Sequence, residues 1–259
     1  ALLAASFLDR FAFPTGYTIN FAIAAALVML SWVALALVRE YPVHNLGPKK
    51  SQREYWRQLP GVLRRDSNFR WFLSTQALSS LGAMSWGFMA VYAVERFGLS
   101  DGQAGLFSTW LLVGQSVGNL LGGIAVDRLG YKPVIAFAIL STISALGLAL
   151  VLQSSAWMAL VFFLRGLSLG VGWISSLIVL EFSKPEIRPT YIGVNNTLLG
   201  VTAMIAPLVG GLVAQNAGYP ALFTVSLVLA AASVSVFLLK VKDPRRHKEE
   251  YGKKSKPSK

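Results

Sequence analysis

The stretch GGIAVDRLGY at residues 122–131 has a close counterpart in GGLVAQNAGY at residues 210–219. Each stretch follows a long uncharged run, and only the first one carries charge, at Asp127 and Arg128. If the chain crosses a membrane three times between the two copies, they lie on opposite faces of that membrane. The pair then marks an inverted structural repeat, in which three helices are followed by three more with the opposite topology.

The rest of the sequence is apolar enough to fill such a repeat with membrane helices. Hydrophobic residues make up 54% of the 259 residues, and the charges cluster in short segments. A helix needs about 20 apolar residues to cross about 30 Å of hydrocarbon, and the sequence lacks the alternating pattern of a membrane barrel. We therefore predict an all-α membrane protein with seven transmembrane helices. The predicted spans are Tyr17–Val38, Trp71–Val94, Gly102–Val126, Pro133–Leu152, Ala156–Leu180, Pro189–Ala214 and Ala221–Leu239.

Basic residues set the predicted orientation, because Lys and Arg near the ends of spans mark the cytoplasmic side. Of the 24 basic residues, all except Arg10, Arg96 and Arg165 lie in segments that this topology places on one face. We therefore expect a plasma membrane protein with its amino end outside and its carboxyl end in the cytoplasm. Attraction of these residues to anionic membrane lipids accounts for the net charge of +12, and no feature indicates nucleic acid binding.

Several kinds of chemical site are missing from the sequence. It has no cysteine, which excludes disulfides and thiolate sites, and His44 and His247 both fall in polar segments. The His, Asp and Glu residues show no metal-ligand spacing, and no candidate Ser or Thr nucleophile has a neighbouring base. No His or carboxylate lies deep in a span, which argues against an intramembrane enzyme. We predict no metal site, no cofactor and no enzymatic activity.

A second internal match extends the repeat toward the amino end. The stretch GYTINF at residues 16–21 resembles GYPALF at residues 218–223, and an apolar helix containing Ser follows each. The first span thus corresponds to the last one. This is expected if a six-helix unit occurs twice and the chain begins near the end of the first copy.

The segment GIAVDRLGYK at residues 123–132 resembles the cytoplasmic signature loop of the major facilitator superfamily, Gly-x-Leu-x-Asp-Arg-x-Gly-Arg-Lys. Ala125 stands where that loop has Leu, and Tyr131 stands at the first of its two basic positions. The segment EFSKPEIR at residues 181–188 is similar to the acidic and basic connection after helix ten of the family. The resemblance implies a six-helix major facilitator half-bundle, a 3+3 inverted repeat, with one preceding helix.

The resemblance also implies a function and a division of the chain into segments. The protein would be a secondary transporter of a small solute that works by rocker-switch alternating access. The partners of this chain would be membrane lipids, a small-molecule substrate and the missing N-terminal half of the transporter. The alternative is a membrane scaffold or receptor that does not transport and uses its basic loop and tail to bind lipid or partners. The implied segments are 1–16, the end of a truncated helix and an external turn; 17–40, helix six of the N-terminal half; 41–68, the basic cytoplasmic central loop; 69–241, the C-terminal bundle; and 242–259, the basic cytoplasmic tail.

By this resemblance the signature loop is a gate. Asp127 would hold one access state by lying against the positive N-terminus of another helix, a contact that contributes about 0.3 to 2 kcal/mol. Arg128 would pair with Glu181, while Gly123 and Gly130 would permit close packing and a tight turn. The alternative is a surface turn whose charges only fix topology. The full set of gating candidates is Gly123, Asp127, Arg128, Gly130, Lys132, Glu181 and Arg188.

Arg165 is the most informative residue for ligand chemistry, because it lies about ten residues into a span, where an unpaired charge costs roughly 2.5 to 3.5 kcal/mol. No Asp or Glu lies at a similar depth. Its partner is therefore expected to be a backbone carbonyl, Gln or Asn, a carboxylate of the missing half, or an anionic substrate group. A structural tie, a gating or coupling role, and substrate contact all stay open. Further cavity candidates, each also compatible with ordinary helix packing, are Gln76, Gln115, Asn195, Asn196, Trp86 and Trp173.

Overall fold

The computed structural model describes residues 11, 14–39, 61, 63–64, 66–99, 101–151, 153–183 and 187–243, without the side chains of residues 101, 102 and 104. These residues form α-helices and short 3-10 turns, and no strand occurs among them. The predicted all-α class is confirmed. Most of the predicted segment 1–16, most of the predicted central loop 41–68 and the tail beyond residue 243 lie outside the described residues. The chain divides into two compact units, Ala1–Lys49 and Lys50–Lys259.

The first unit contains one described helix, α1, at Thr15–Ala36. It begins and ends two residues before the predicted span. Gly16 is its one buried residue, and large apolar side chains such as Phe21 and Trp32 are more than 70% exposed. A helix that is apolar on all sides is typical of a lipid-exposed span.

The second unit is a helical bundle, and two of its predicted spans consist of two shorter helices each. A 3-10 turn at Ala83–Ser85 separates α2 from α3, and a turn at Trp173 separates α6 from α7. The helices are α2 (Ser67–Gly82), α3 (Trp86–Phe97), α4 (Asp101–Leu129), α5 (Tyr131–Val151), α6 (Met158–Gly172), α7 (Ile174–Phe182) and α8 (Arg188–Lys240).

The last helix contains two spans, because α8 folds back on itself at Gly218. Its 53 residues would extend about 80 Å if they were straight, far more than a membrane requires. Gly218 has a φ of +80°, which interrupts the helical path. Thr202, before the turn, hydrogen-bonds Ser80 of α2 at 2.8 Å, and Ser226, after the turn, lies against the neighbouring Gly82. The two arms therefore pack side by side on α2.

This reversal reconciles the helix count with the predicted topology. Six helices in the described part of the chain are long and apolar enough to cross a membrane. One of them is α8, whose two arms are each long enough for a span, so the described residues contain seven segments that suit the predicted seven spans. The turn at Gly218 and Tyr219 lies where the repeat predicted an external turn.

Two hydrophobic clusters form the core of the bundle, one at each end. Val126 and Tyr131 belong to the first cluster, which defines the signature end of the bundle. Leu222 and Phe223 belong to the second cluster, which defines the opposite end. The two matching stretches of the inverted repeat therefore end on opposite sides of the bundle.

Candidate functional site

The signature loop forms a turn of a single residue. Helix α4 ends at Leu129, α5 begins at Tyr131, and Gly130 between them has a φ of +85°, a conformation that glycine adopts without steric cost. Asp127 and Arg128 are exposed in the last turn of α4. The proposed latch of Asp127 and the pair between Arg128 and Glu181 stay predictions.

Gly123, another gating candidate, makes no close contact with a neighbouring helix among the described residues. A Cβ atom built on Gly123 would meet nothing within 4 Å among the described residues. Close packing at Gly123 therefore stays a prediction about segments beyond them.

Lys132 fastens the signature loop to the end of the last helix. Its ammonium group donates hydrogen bonds to the carbonyl oxygens of Leu238 at 2.8 Å and Val241 at 2.7 Å. A cation at this place satisfies carbonyls that a helix end leaves without partners and interacts favourably with the helix dipole. Asn68 adds a second tie, because its side chain exchanges two hydrogen bonds of 2.8 Å with the backbone of Lys242. The start of the tail is thus held by both α2 and α5.

Arg188 has a similar capping role at the connection between α7 and α8. Its Nε atom donates to the carbonyl oxygen of Leu180 at 3.2 Å. Glu181, the next residue of α7, is half-buried. Of the charged gating candidates, Asp127 and Arg128 are thus exposed at the end of α4, whereas Lys132 and Arg188 bind carbonyl groups near helix ends.

Arg165 and Trp86 are two predicted site residues that the fold brings together. The guanidinium carbon of Arg165 lies 4.7 Å from the centroid of the Trp86 ring. Arg165 is half-buried on α6, and Trp86 is the first residue of α3, directly after the 3-10 turn. A guanidinium over an indole face is attracted by the ring electrons, more strongly away from water. The partner of Arg165 within the described residues is therefore an aromatic ring.

The helix interruptions occur at corresponding positions of the inverted repeat. Helix α2 runs for 16 residues before its break, and α6 runs for 15 residues before its own. The backbone keeps right-handed helical angles at the residues that flank both positions, so each interruption is a local irregularity within one span. Arg165 and Trp86 connect these two interrupted spans.

Gln76 reaches the second interruption. Its side-chain amide donates to the Ser175 hydroxyl at 3.4 Å, and that hydroxyl donates to the Gly172 carbonyl oxygen at 2.6 Å. A small cavity of about 70 Å³ lies here, lined in part by Gln76, Ser79, Ser168 and Ser175. Trp173, at the break itself, is 44% exposed. Gln76 therefore ties α2 to the interrupted span of α6 and α7.

The three remaining candidates lie on other helices. Gln115 is half-buried on α4, where its backbone lies against Gly166 of α6. Asn195 is buried on α8, and its side-chain oxygen has no hydrogen-bond partner among the described residues, while Asn196 is exposed. No hydrogen bond between described residues joins Gln115, Asn195 or Asn196 to Arg165.

Sequence reasoning missed two serines beside the interruptions. Ser85 directly precedes Trp86 and is fully buried, and Ser175 receives the bond from Gln76. Serine is common in packed membrane helices, so its presence alone carries no signal. Only the structure shows that Ser85 lies at the break between α2 and α3.

Comparison with known proteins agrees with this architecture. A family model described as Major Facilitator Superfamily matches residues 72–259. The cis,cis-muconate transport protein of Acinetobacter baylyi is 29% identical over 135 residues, which are 51% of this chain and 32% of that protein. Protein ZINC INDUCED FACILITATOR 1 of Arabidopsis thaliana is 28% identical over 142 residues, 51% of this chain and 29% of its own length. The matches thus span about a third of the length of these curated relatives.

The family match extends from α2 through the last helix and the tail, and so includes the signature loop, both interrupted spans and the reversal at Gly218. The helices that are long and apolar enough to cross a membrane agree with a family of multi-pass membrane proteins. The chain belongs to the major facilitator superfamily.

Proposed function

We propose that this chain is the carboxy-terminal half, with one preceding helix, of a secondary active transporter that moves a small solute by rocker-switch alternating access. The observation that carries the proposal is the contact of Arg165 with Trp86, which joins two spans from corresponding positions of the inverted repeat. In transporters built from repeats, substrate sites lie near the middle of the membrane, at the interface between the repeats. The names of both relatives, a transport protein and a facilitator, agree with this class of function.

The other wall of the site would belong to the N-terminal half of the transporter. Solute or ion binding would shift the population between inward-open and outward-open states, because the site has a different affinity in each state. None of the acidic residues in this sequence lies at the depth of Arg165. A carboxylate that couples transport to protons would therefore lie in the N-terminal half.

We propose that the protein lies in the plasma membrane. The signature end of the bundle would face the cytoplasm, and the amino end of the chain would lie outside. Basic side chains favour the cytoplasmic side, and aromatic side chains favour the membrane surface. The ammonium group of Lys240 lies 5.7 Å from the centroid of the Trp71 ring at the signature end. Exposed Asp127 on the same end is accessible to a helix of the N-terminal half, as the latch requires.

Flux measurements with the full-length protein in proteoliposomes test the proposed function. The assay uses labelled benzoate, glucose and tetraphenylphosphonium, which represent an anion, a neutral solute and a cation, each with an imposed proton or sodium gradient. We expect protein-dependent accumulation of at least one solute class, with protein-free liposomes as the control. Folded protein that moves none of them would contradict transport and favour a scaffold or receptor that binds lipid or partners through its basic segments.

A further inference from the structure

We propose that Arg165, Trp86 and Ser85 bind the carboxylate group of an organic anion, which is the substrate class of this transporter. The inference rests on the proposed transport function and assigns a chemical class to its central site. We call these three residues the carboxylate site.

The charge of Arg165 is the first argument for an anion. Its guanidinium group stacks on the ring of Trp86 at 4.7 Å, and among the described residues it makes no hydrogen bond or ion pair. Stacking occupies the face of the guanidinium and leaves the N–H groups at its edge available. Five N–H donors in a planar fork match the two oxygens of a carboxylate. An arginine held in this way at mid-span is arranged to receive an acceptor with negative charge.

Two neighbouring hydrogen-bonding groups give the second argument. The indole N–H of Trp86 and the hydroxyl of Ser85 are buried, and neither has a hydrogen-bond partner among the described residues. Buried polar groups in folded proteins nearly always have partners, so two adjacent exceptions call for an explanation. Ser85 is the last residue of the 3-10 turn between α2 and α3, and Trp86 is the first residue of α3. A carboxylate, which can accept about four hydrogen bonds, would supply acceptors for both groups and for Arg165.

The combination of charge and donors distinguishes between substrate classes. A cationic solute would be repelled by Arg165, since no acidic residue of this chain lies at the same depth to offset its charge. A neutral solute would leave that charge uncompensated within this half of the transporter, which is unfavourable at mid-membrane. Trp86 packs against the second hydrophobic cluster, as do Phe88, Leu111 and Leu164, and this apolar setting suits an apolar body attached to the carboxylate. The site therefore favours a carboxylate carried on an apolar group.

Binding to the purified full-length protein tests the carboxylate site without requiring flux. Thermal unfolding is followed in detergent with acetate, benzoate and succinate, and in parallel with acetamide, benzamide and succinamide, which have similar shapes but no charge. We expect at least one carboxylate to raise the melting temperature in a saturable way and its amide to have no such effect. If no carboxylate stabilises the protein more than its amide, the inference is wrong.

Variants then locate the binding. We expect Arg165→Gln to weaken carboxylate binding by about 10- to 100-fold, because hydrogen bonds to a charged group are lost. Trp86→Phe keeps the aromatic face and removes only the N–H group, and we expect about 10-fold weaker binding. Arg96→Gln is the matched control, because Arg96 also lies over an aromatic ring, Tyr92, but in the last turn of α3, ten residues after Trp86. Its carboxylate affinity should equal that of the unchanged protein.

The outcomes separate this inference from the proposed function. Transport of a neutral solute or a cation with the same kinetics in Arg165→Gln would overturn the carboxylate site and leave transport intact. Saturable carboxylate binding that depends on Arg165, in a protein without flux of any solute, would support the site and contradict transport. If Arg165→Gln does not fold, the carboxylate site is tested by Trp86→Phe and by the comparison of carboxylates with amides. Unchanged carboxylate affinity in Trp86→Phe would then overturn the assignment.

Discussion

Replacing Gly118 with leucine is expected to unfold the bundle, with a loss of more than about 3 kcal/mol of stability. The reason is a direct backbone contact between α4 and α6. A Cβ atom at Gly118 would lie 2.6 Å from the Leu167 carbonyl oxygen, and one at Gly170 would lie 2.7 Å from the Asn119 amide nitrogen. These neighbours are backbone atoms, so they can move only if the helices separate.

The spacing of the glycines explains how the contact arises. Gly114, Gly118 and Gly122 recur every four residues and therefore lie on one face of α4, opposite Gly166 and Gly170 of α6. Lipid tails are as apolar as leucine, so membrane helices associate by close packing and favour small residues at their contacts. The glycines thus set the distance between α4 and α6, which carries Arg165.

Gly105→Leu is the matched control for Gly118→Leu. It lies on the same helix, and a Cβ atom there would meet nothing within 4 Å among the described residues. Thermal unfolding of both variants in detergent, followed by the loss of the monodisperse peak in size-exclusion chromatography, measures the difference. We expect Gly105→Leu to unfold near the temperature of the unchanged protein. Equal unfolding temperatures for the two variants would show that the α4–α6 contact is not as close as described.

Replacing Arg165 with alanine in the full-length protein is expected to reduce the transport rate by at least about 100-fold while the protein still folds. No other charge of the described residues lies at this depth, so the variant has no substitute for the guanidinium. Loss of a mid-membrane charge also removes an unfavourable term from folding, which is why stability should be maintained. The initial rate of uptake into proteoliposomes and the melting temperature are measured on the same preparations.

The kinetic constants of Arg165→Ala distinguish the roles that stay open. Loss of substrate contact would raise KM, whereas a defect in gating or coupling would lower kcat with less change in KM. A structural tie would instead lower the melting temperature. Arg96→Ala, which removes an arginine packed on Tyr92 and Phe97 at the opposite end, is the control and should keep its uptake rate. Normal uptake kinetics in Arg165→Ala would exclude Arg165 from the mechanism.

The helical spans were predictable from the sequence because their signals are local. A run of about 20 uncharged apolar residues is sufficient to indicate a membrane helix. Helix α1 differs from its predicted span by two residues at each end. Gly130 and Gly218 mark chain reversals in the sequence, and both have positive φ angles in the structure. The inverted repeat was predictable for the same reason, since two similar decapeptides define it.

The partners of the site residues were not predictable, because they are far apart in the sequence. Arg165 and Trp86 were both candidates, but an aromatic ring was not among the partners expected for the guanidinium. Lys132 was a candidate for gating, and its bonds to carbonyl groups of α8 depend on how the two helices pack. The break between α2 and α3 contains no proline, so the sequence gives no signal for it. In the structure, Gly82 at this break lies close to the backbone of the second arm of α8.

Labelling of single cysteines tests the central claim, that the chain passes seven times through the membrane as an inverted repeat. The sequence contains no cysteine, so Asp127→Cys and Gln215→Cys each introduce a unique site in this part of the protein, with any cysteines of the remaining half replaced. Intact cells are treated with a membrane-impermeant maleimide before and after permeabilisation. We expect position 215 to react in intact cells and position 127 to react only after permeabilisation. Reaction of both positions under the same condition would contradict this claim.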